Sequence, residues 1–263
     1  MLRDYRFRPS WKVTLAALVV FPTLVGLGVW QLHRAKEAAE MRDHFRARSK
    51  MAALDINHGA PDPASGEFRR ARVSGRYRAD LTIYLDNKIM NGVPGYDILT
   101  PLAIADEKKS ESGEAGAGGV DSGTGRRFIL VNRGWISWGR SRETLPAVDT
   151  PGGPVVVSGM LKAPPAKYFT LQRHVNDKTF QPLWENLDLG RYRKVTGLKV
   201  SPLVLLLDPG DRQGGGFIRR WPRYNDPWVE RHNGYATQWF SMAFILVVMY
   251  VGLNVEKRDT ASD

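Results

Sequence analysis

Gly234-Tyr-Ala-Thr-Gln-Trp-Phe-Ser-Met-Ala-Phe-Ile-Leu-Val-Val-Met-Tyr-Val-Gly-Leu253 runs for twenty residues without one charged side chain. At about 1.5 Å rise per residue, a helix of that length crosses a hydrocarbon core of roughly 30 Å. A second uncharged run of twenty, Val13 to Leu32, stands near the other end of the chain. A cleaved signal peptide would have an apolar region of only about 7–15 residues and finish at a small-residue site. This run is longer and passes into Gly28-Val-Trp-Gln-Leu-His-Arg34, which fits a retained anchor. The expected fold class is therefore an α+β membrane protein. Transmembrane helices at 13–32 and 234–253 flank one β-rich, mostly antiparallel domain at 33–233.

Charge sets the expected orientation. Residues 1–12 carry Arg3, Arg6, Arg8 and Lys12 against Asp4, a net +3, and the positive-inside rule holds such a tail in the cytoplasm. Two spans return the tail 254–263, with Lys257 and Arg258, to the same side. Residues 33–233 are then extracytoplasmic, and most of the overall +11 lies there. A large domain crosses despite its basic residues, because the rule counts short loops. The absence of cysteine suits an oxidising compartment and excludes thiolate metal sites, disulfides and cysteine nucleophiles. With twelve residues before the first span there is no room for an ordinary mitochondrial transit peptide, so a bacterial inner membrane is expected, with the domain periplasmic.

Trp11 and Trp30 fall near the two ends of the first span, Pro22 is a potential kink, and Gly26 and Gly28 would admit a close partner helix. Strong helix formers from Arg34 onward predict that this helix continues outward to about Met51. From Phe68 the pattern turns to short β-rich pieces. Strands are expected at Arg72–Tyr77, Thr82–Asp86, Tyr96–Leu102, Phe128–Trp135, Val155–Leu161 and Leu203–Leu207, and a short helix between Asp188 and Val195. Residues 106–125 hold six glycines and one apolar side chain larger than alanine, and read as a disordered hairpin insertion.

His232 precedes the second span, with Tyr235 and Trp239 three and seven residues further on, a spacing that places all three on one helix face. An imidazole flanked by aromatic rings at a membrane boundary can hold an apolar cofactor with a metal centre. Arg219, Arg220, Arg223 and Arg231 lie just upstream, interleaved with Trp221, Tyr224 and Trp228; they could pair with the carboxylates of a bound cofactor, or serve simply to anchor a span among headgroups. His33 leaves the first span on the same side as His232, where it would be a second axial imidazole or a snorkelling side chain. His44, His58 and His174 show no metal-ligand spacing. Val131-Asn-Arg-Gly-Trp135 reads as a strand ending in a turn. No nucleophile elbow, phosphate loop or metalloprotease helix is present, so the chain is not expected to be an enzyme.

Five segments, in order, resemble the surfeit locus family of cytochrome oxidase assembly factors: Gly28-Val-Trp-Gln-Leu-His-Arg34, Arg72-Val-Ser-Gly-Arg-Tyr77, Gly95-Tyr-Asp-Ile-Leu-Thr-Pro-Leu102, Val131-Asn-Arg-Gly-Trp135 and Arg231-His-Asn-Gly-Tyr-Ala-Thr-Gln-Trp-Phe240. The resemblance implies assistance in building haem-copper terminal oxidases by delivering or stabilising haem a, transiently bound, in subunit I, with haem b as the alternative cofactor. It puts the family's haem-ligating histidine on His232. The rings of Tyr235 and Trp239 would stack on the porphyrin, and Arg231 would pair with a propionate. Implied partners are oxidase subunit I, haem a synthase or other assembly factors, and the lipid bilayer, with no nucleic acid. A cofactor-free scaffold for assembly intermediates, with His232 structural, is the competing class.

Overall fold

The computed structural model describes residues 5–105, 126–139, 144–165, 179–211, 213–221, 224 and 226–257. The insertion 106–125, His174, Arg223 and Arg258 fall outside the described residues. The chain divides into two compact units, one formed by its two ends and one by residues 46–222.

The terminal unit is built on two long helices, α1 (Trp11–Ser49) and α4 (Asp226–Leu253). Each is long and apolar enough to cross a membrane. At about 1.5 Å per residue α1 is roughly 58 Å long, running uninterrupted through Pro22 and ending two residues before Met51. Beyond the apolar run its surface is polar, with Arg34 and Glu37 paired one turn apart. Outside the helices the two chain ends form an antiparallel ribbon, β1 (Tyr5–Phe7) against β10 (Val255–Lys257), in the register Arg6↔Glu256.

The second unit is α+β, as the strand spacing predicts. Its strands are β2 (Leu54–Asp55), β3 (Arg70–Tyr77), β4 (Ile83–Met90), β5 (Val93–Ile104), β6 (Arg127–Ser137), β7 (Pro154–Lys162), β8 (Leu183–Trp184) and β9 (Lys199–Leu207). They form one sheet in the order β2-β3-β7-β9-β6-β5-β4-β8. Most neighbours are antiparallel; β2–β3, β6–β9 and β4–β8 are parallel. Five of the six expected strands lie within one of these, the sixth, Thr82–Asp86, starts one residue ahead of β4, and the two shortest, β2 and β8, were not expected. Two short helices complete the unit, α2 (Pro63–Gly66) and α3 (Leu189–Thr196). The second starts where Asp188 accepts the amide of Arg191 at 2.9 Å and stops at Gly197 in the left-handed region, an ordinary cap at each end.

The sheet also closes on itself. β3 pairs with β7 on one edge and with the last residues of β5 on the other (Gly75↔Ile104, Tyr77↔Leu102), so β3, β7, β9, β6 and β5 make a five-stranded barrel. Alternate residues such as Val73, Leu102, Ile129, Val131, Leu203 and Leu205 fill its interior. The opposite faces of β5, β6 and β9 pack a second core with Trp184, Leu187 and Tyr192. Those three strands are therefore buried on both sides and read as apolar runs, while β3 and β7 alternate buried with solvated positions.

Closure depends on a residue without a side chain. A Cβ on Gly75 would stand 2.1 Å from the Ala103 carbonyl oxygen. Gly75→Val is expected to cost several kcal/mol, at or above the roughly 1–3 kcal/mol usual for overpacking because backbone rather than a flexible side chain must yield. Denaturant unfolding of the purified protein measures it. A mutant as stable as the parent would show that the barrel does not depend on this contact.

Candidate functional site

The helix hairpin is seamed by small residues. On α1 the buried positions are Gly28, Gln31, Ala35 and Ala38, one stripe at intervals of three and four; on α4, Ala236 and Ala243 are buried. Phe240 covers Gly28 so closely that a Cβ there would lie 2.6 Å from its ring. Close approach of backbones at small residues is how apolar helices associate when lipid removes the hydrophobic drive. Gly26, expected to share this role, has nothing within 4 Å of its Cβ position, and only Gly28 belongs to the contact.

One polar pair interrupts the seam. His232 Nδ1 lies 2.8 Å from Gln31 Oε1. An amide oxygen only accepts, so in this contact Nδ1 donates, and in a neutral imidazole Nε2 is then the nitrogen with the lone pair. Gln31 is buried, His232 half-buried, and Nε2 has no hydrogen-bond partner among the described residues. Trp239 is half-buried on the same flank, whereas Tyr235 and Arg231 point outward and are exposed. His33 is exposed too, two residues past Gln31 and so turned from the seam. Among the described residues no cluster of three His, Cys, Asp or Glu side chains assembles. The arrangement can offer one imidazole nitrogen, not a chelate.

The far end of the hairpin is tied separately. Asn254 is buried; its side chain accepts the Ser10 amide at 2.9 Å, its carbonyl accepts the Arg8 amide, and its own amide donates to the Tyr250 carbonyl. Thr14 Oγ1 meets the Tyr250 hydroxyl at 2.8 Å.

Of the arginines upstream of α4, Arg219 is corrected. It lies in the domain and is buried, and its guanidinium donates to the carbonyls of Arg133, Asp208, Pro209, Asp211 and Gly215, which commits it to the domain's own backbone. Arg220 is exposed and donates to Asn91.

The segment Val131–Trp135 is corrected as well: β6 does not end there but continues to Ser137 through a bulge at Arg133, where Gly134 has φ +125°. The bulge turns Arg133 into the end of the barrel, between the rings of Tyr77 and Phe217 with its carbon centre 5.3 and 5.0 Å from their centroids. It donates to Gly214, Thr150 and Asp149, and burial lowers its pKa. Burial likewise pushes the Tyr77 phenol up to about 12. Asn132 donates to Asp97 at 3.4 Å beside a cavity of about 260 Å³ walled by Leu85, Leu99, Leu206 and Trp221, and burial raises the Asp97 carboxyl.

The sequence profile of the SURF1 family matches residues 18–244, from within α1 to within α4. The chain belongs to the SURF1 family. Members of this family are in general oxidase assembly factors rather than known enzymes. Similar curated relatives are the SURF1-like proteins of Rickettsia bellii (23 % identical over 254 residues, 95 % of this chain and 93 % of the relative) and Rickettsia felis (21 % over 243 residues, 91 % and 96 %). A SURF1-like protein of Caenorhabditis briggsae is 22 % identical over 254 residues, 92 % of this chain and 75 % of the relative. The SURF1 match thus takes in both helices, the barrel, and the Gln31–His232 pair.

Sequence reasoning singled out His232 but missed Gln31. The available signal was a lone amide at the end of an apolar run, since a polar side chain inside a membrane helix calls for a partner. The seam makes a paired expectation. Gly28→Leu should lower the thermal midpoint of the detergent-solubilised protein by several degrees, while Gly26→Leu should leave it unchanged. Equal effects would mean that the seam is not where the helices hold each other.

Proposed function

We propose that this chain assists assembly of a haem-copper terminal oxidase by holding haem a at His232 and passing it to apo-subunit I. The observation that carries this is the placement of the imidazole: Nδ1 lies 2.8 Å from the Gln31 amide oxygen, and Nε2 has no hydrogen-bond partner among the described residues. A neutral histidine fixed through one nitrogen is the form in which the other binds a metal. His232 would hold the iron of the haem through Nε2. Trp239 and Tyr235 would lend apolar surface to the ring, and the exposed Arg231 could pair with a propionate. A single half-buried ligand suits transient custody better than permanent residence. Haem a synthase or another assembly factor would be the donor, and haem b an alternative cargo.

The same bond favours a second possibility. Gln31–His232 is a structural clip across the hairpin, which a cofactor-free scaffold would need equally. His232→Ala would remove clip and ligand together and leave Gln31 unpaired, at a cost of roughly 1–3 kcal/mol. His232→Asn separates them, because its side-chain amide can donate from the place of Nδ1 while Nε2 is gone. Purified after co-expression with haem a biosynthesis, the His232→Asn protein should accumulate normally and lose most of the haem absorbance of the parent. Its oxidase should contain less haem a. Unchanged haem content would discard the ligand assignment and leave the scaffold.

We further propose that the hairpin spans the bacterial inner membrane with both termini cytoplasmic and the barrel domain periplasmic. A reporter active only in the cytoplasm should work when fused after Asp263 and be silent when inserted within 106–125. The reverse pattern would invert the topology.

A further inference from the structure

A neutral imidazole carries its proton on either nitrogen, and only the nitrogen without it can coordinate a metal. Nothing in the His232 side chain makes that choice. Gln31 does: its Oε1, an acceptor without a proton of its own, stands 2.8 Å from Nδ1. Gln31 is 9 % exposed and lies in the stripe that also holds Gly28 and Ala35, so its amide has little access to solvent partners. We propose that Gln31 is the positioning residue of the site. It holds the proton of His232 on Nδ1, presents the Nε2 lone pair away from the seam, and sets how firmly that nitrogen grips a haem iron; this last effect rests on the ligand assignment above.

A reciprocal effect follows. Coordination at Nε2 withdraws electron density from the ring and makes Nδ1–H the better donor, so loading tightens the Gln31 contact and the α1–α4 seam with it. By linkage, whatever loosens the seam at this level loosens the ligand to the same degree. The hairpin is then more than a stalk, because its packing and its cargo share one hydrogen bond.

The tests use the full-length protein in lipid nanodiscs. Proton–nitrogen correlation spectra of ¹⁵N-histidine-labelled protein read the His232 tautomer without cofactor, with His232→Asn identifying the resonance. The parent should show the Nδ1–H form and Gln31→Leu should lose it; an Nε2–H parent, or an unchanged Gln31→Leu spectrum, overturns the proposal. Titration with ferric haem b reads the second half. Loss of an outer-shell partner typically weakens a metal site by roughly 10–100-fold, and Gln31→Leu should do so. Gln31→Glu, a stronger acceptor of similar size, should retain binding and lower the reduction potential of the bound haem. It serves if Gln31→Leu fails to accumulate, and an unmoved potential then counts against the proposal. If the parent binds no haem at all, the ligand assignment falls, while the tautomer spectrum still decides whether Gln31 orients the ring.

Discussion

An amide and an imidazole set between two apolar helices must satisfy one another, and at Gln31 and His232 they do. In lipid an unpaired polar group is expensive, so this bond fixes the register of α1 against α4 more sharply than small residues alone could. It brings a residue from each end of the sequence to one place. It also makes His232 serve two roles through two nitrogens, one facing the protein and one facing whatever approaches.

The domain is organised by a comparable economy of space. Its strands bend round until β3 meets β5, and Gly75 lets the backbones touch. The open end is stopped not by an apolar plug but by Arg133, whose planar cation lies between two rings while its hydrogens go to carbonyls and a hydroxyl. Arg219 stitches the neighbouring loop in the same manner. Both arginines are masonry in the fold.

How much was legible follows from what each feature depends on. The helices could be read because a run of twenty uncharged residues needs no partner to declare itself. β5, β6 and β9 could be read because burial on both faces leaves each a mostly apolar stretch, such as Phe128–Val131 and Leu203–Leu207. α3 announced its start at Asp188 and its stop at Gly197. What stayed hidden was pairwise. Nothing periodic in Gly75 names Ile104, nothing in Arg219 says that five carbonyls await it, and nothing in His232 points to a glutamine 201 residues away. The bulge at Arg133 was hidden for the related reason that Asn-Arg-Gly is also good turn chemistry.

The ribbon of β1 and β10 bears on how the protein is made. Its two strands, three residues each, are separated by almost the whole chain. At roughly 5–20 residues per second, the first waits on the order of ten to fifty seconds for the second to leave the ribosome. Through that interval the earliest strand is an unmatched edge held beside an anchored helix. Pairing of the two strands thus waits until α4 has been made and the residues after it have emerged. A message truncated just after Leu253 would still encode both spans and the Gln31–His232 bond, yet lack the ribbon and the Asn254 tie at the far end.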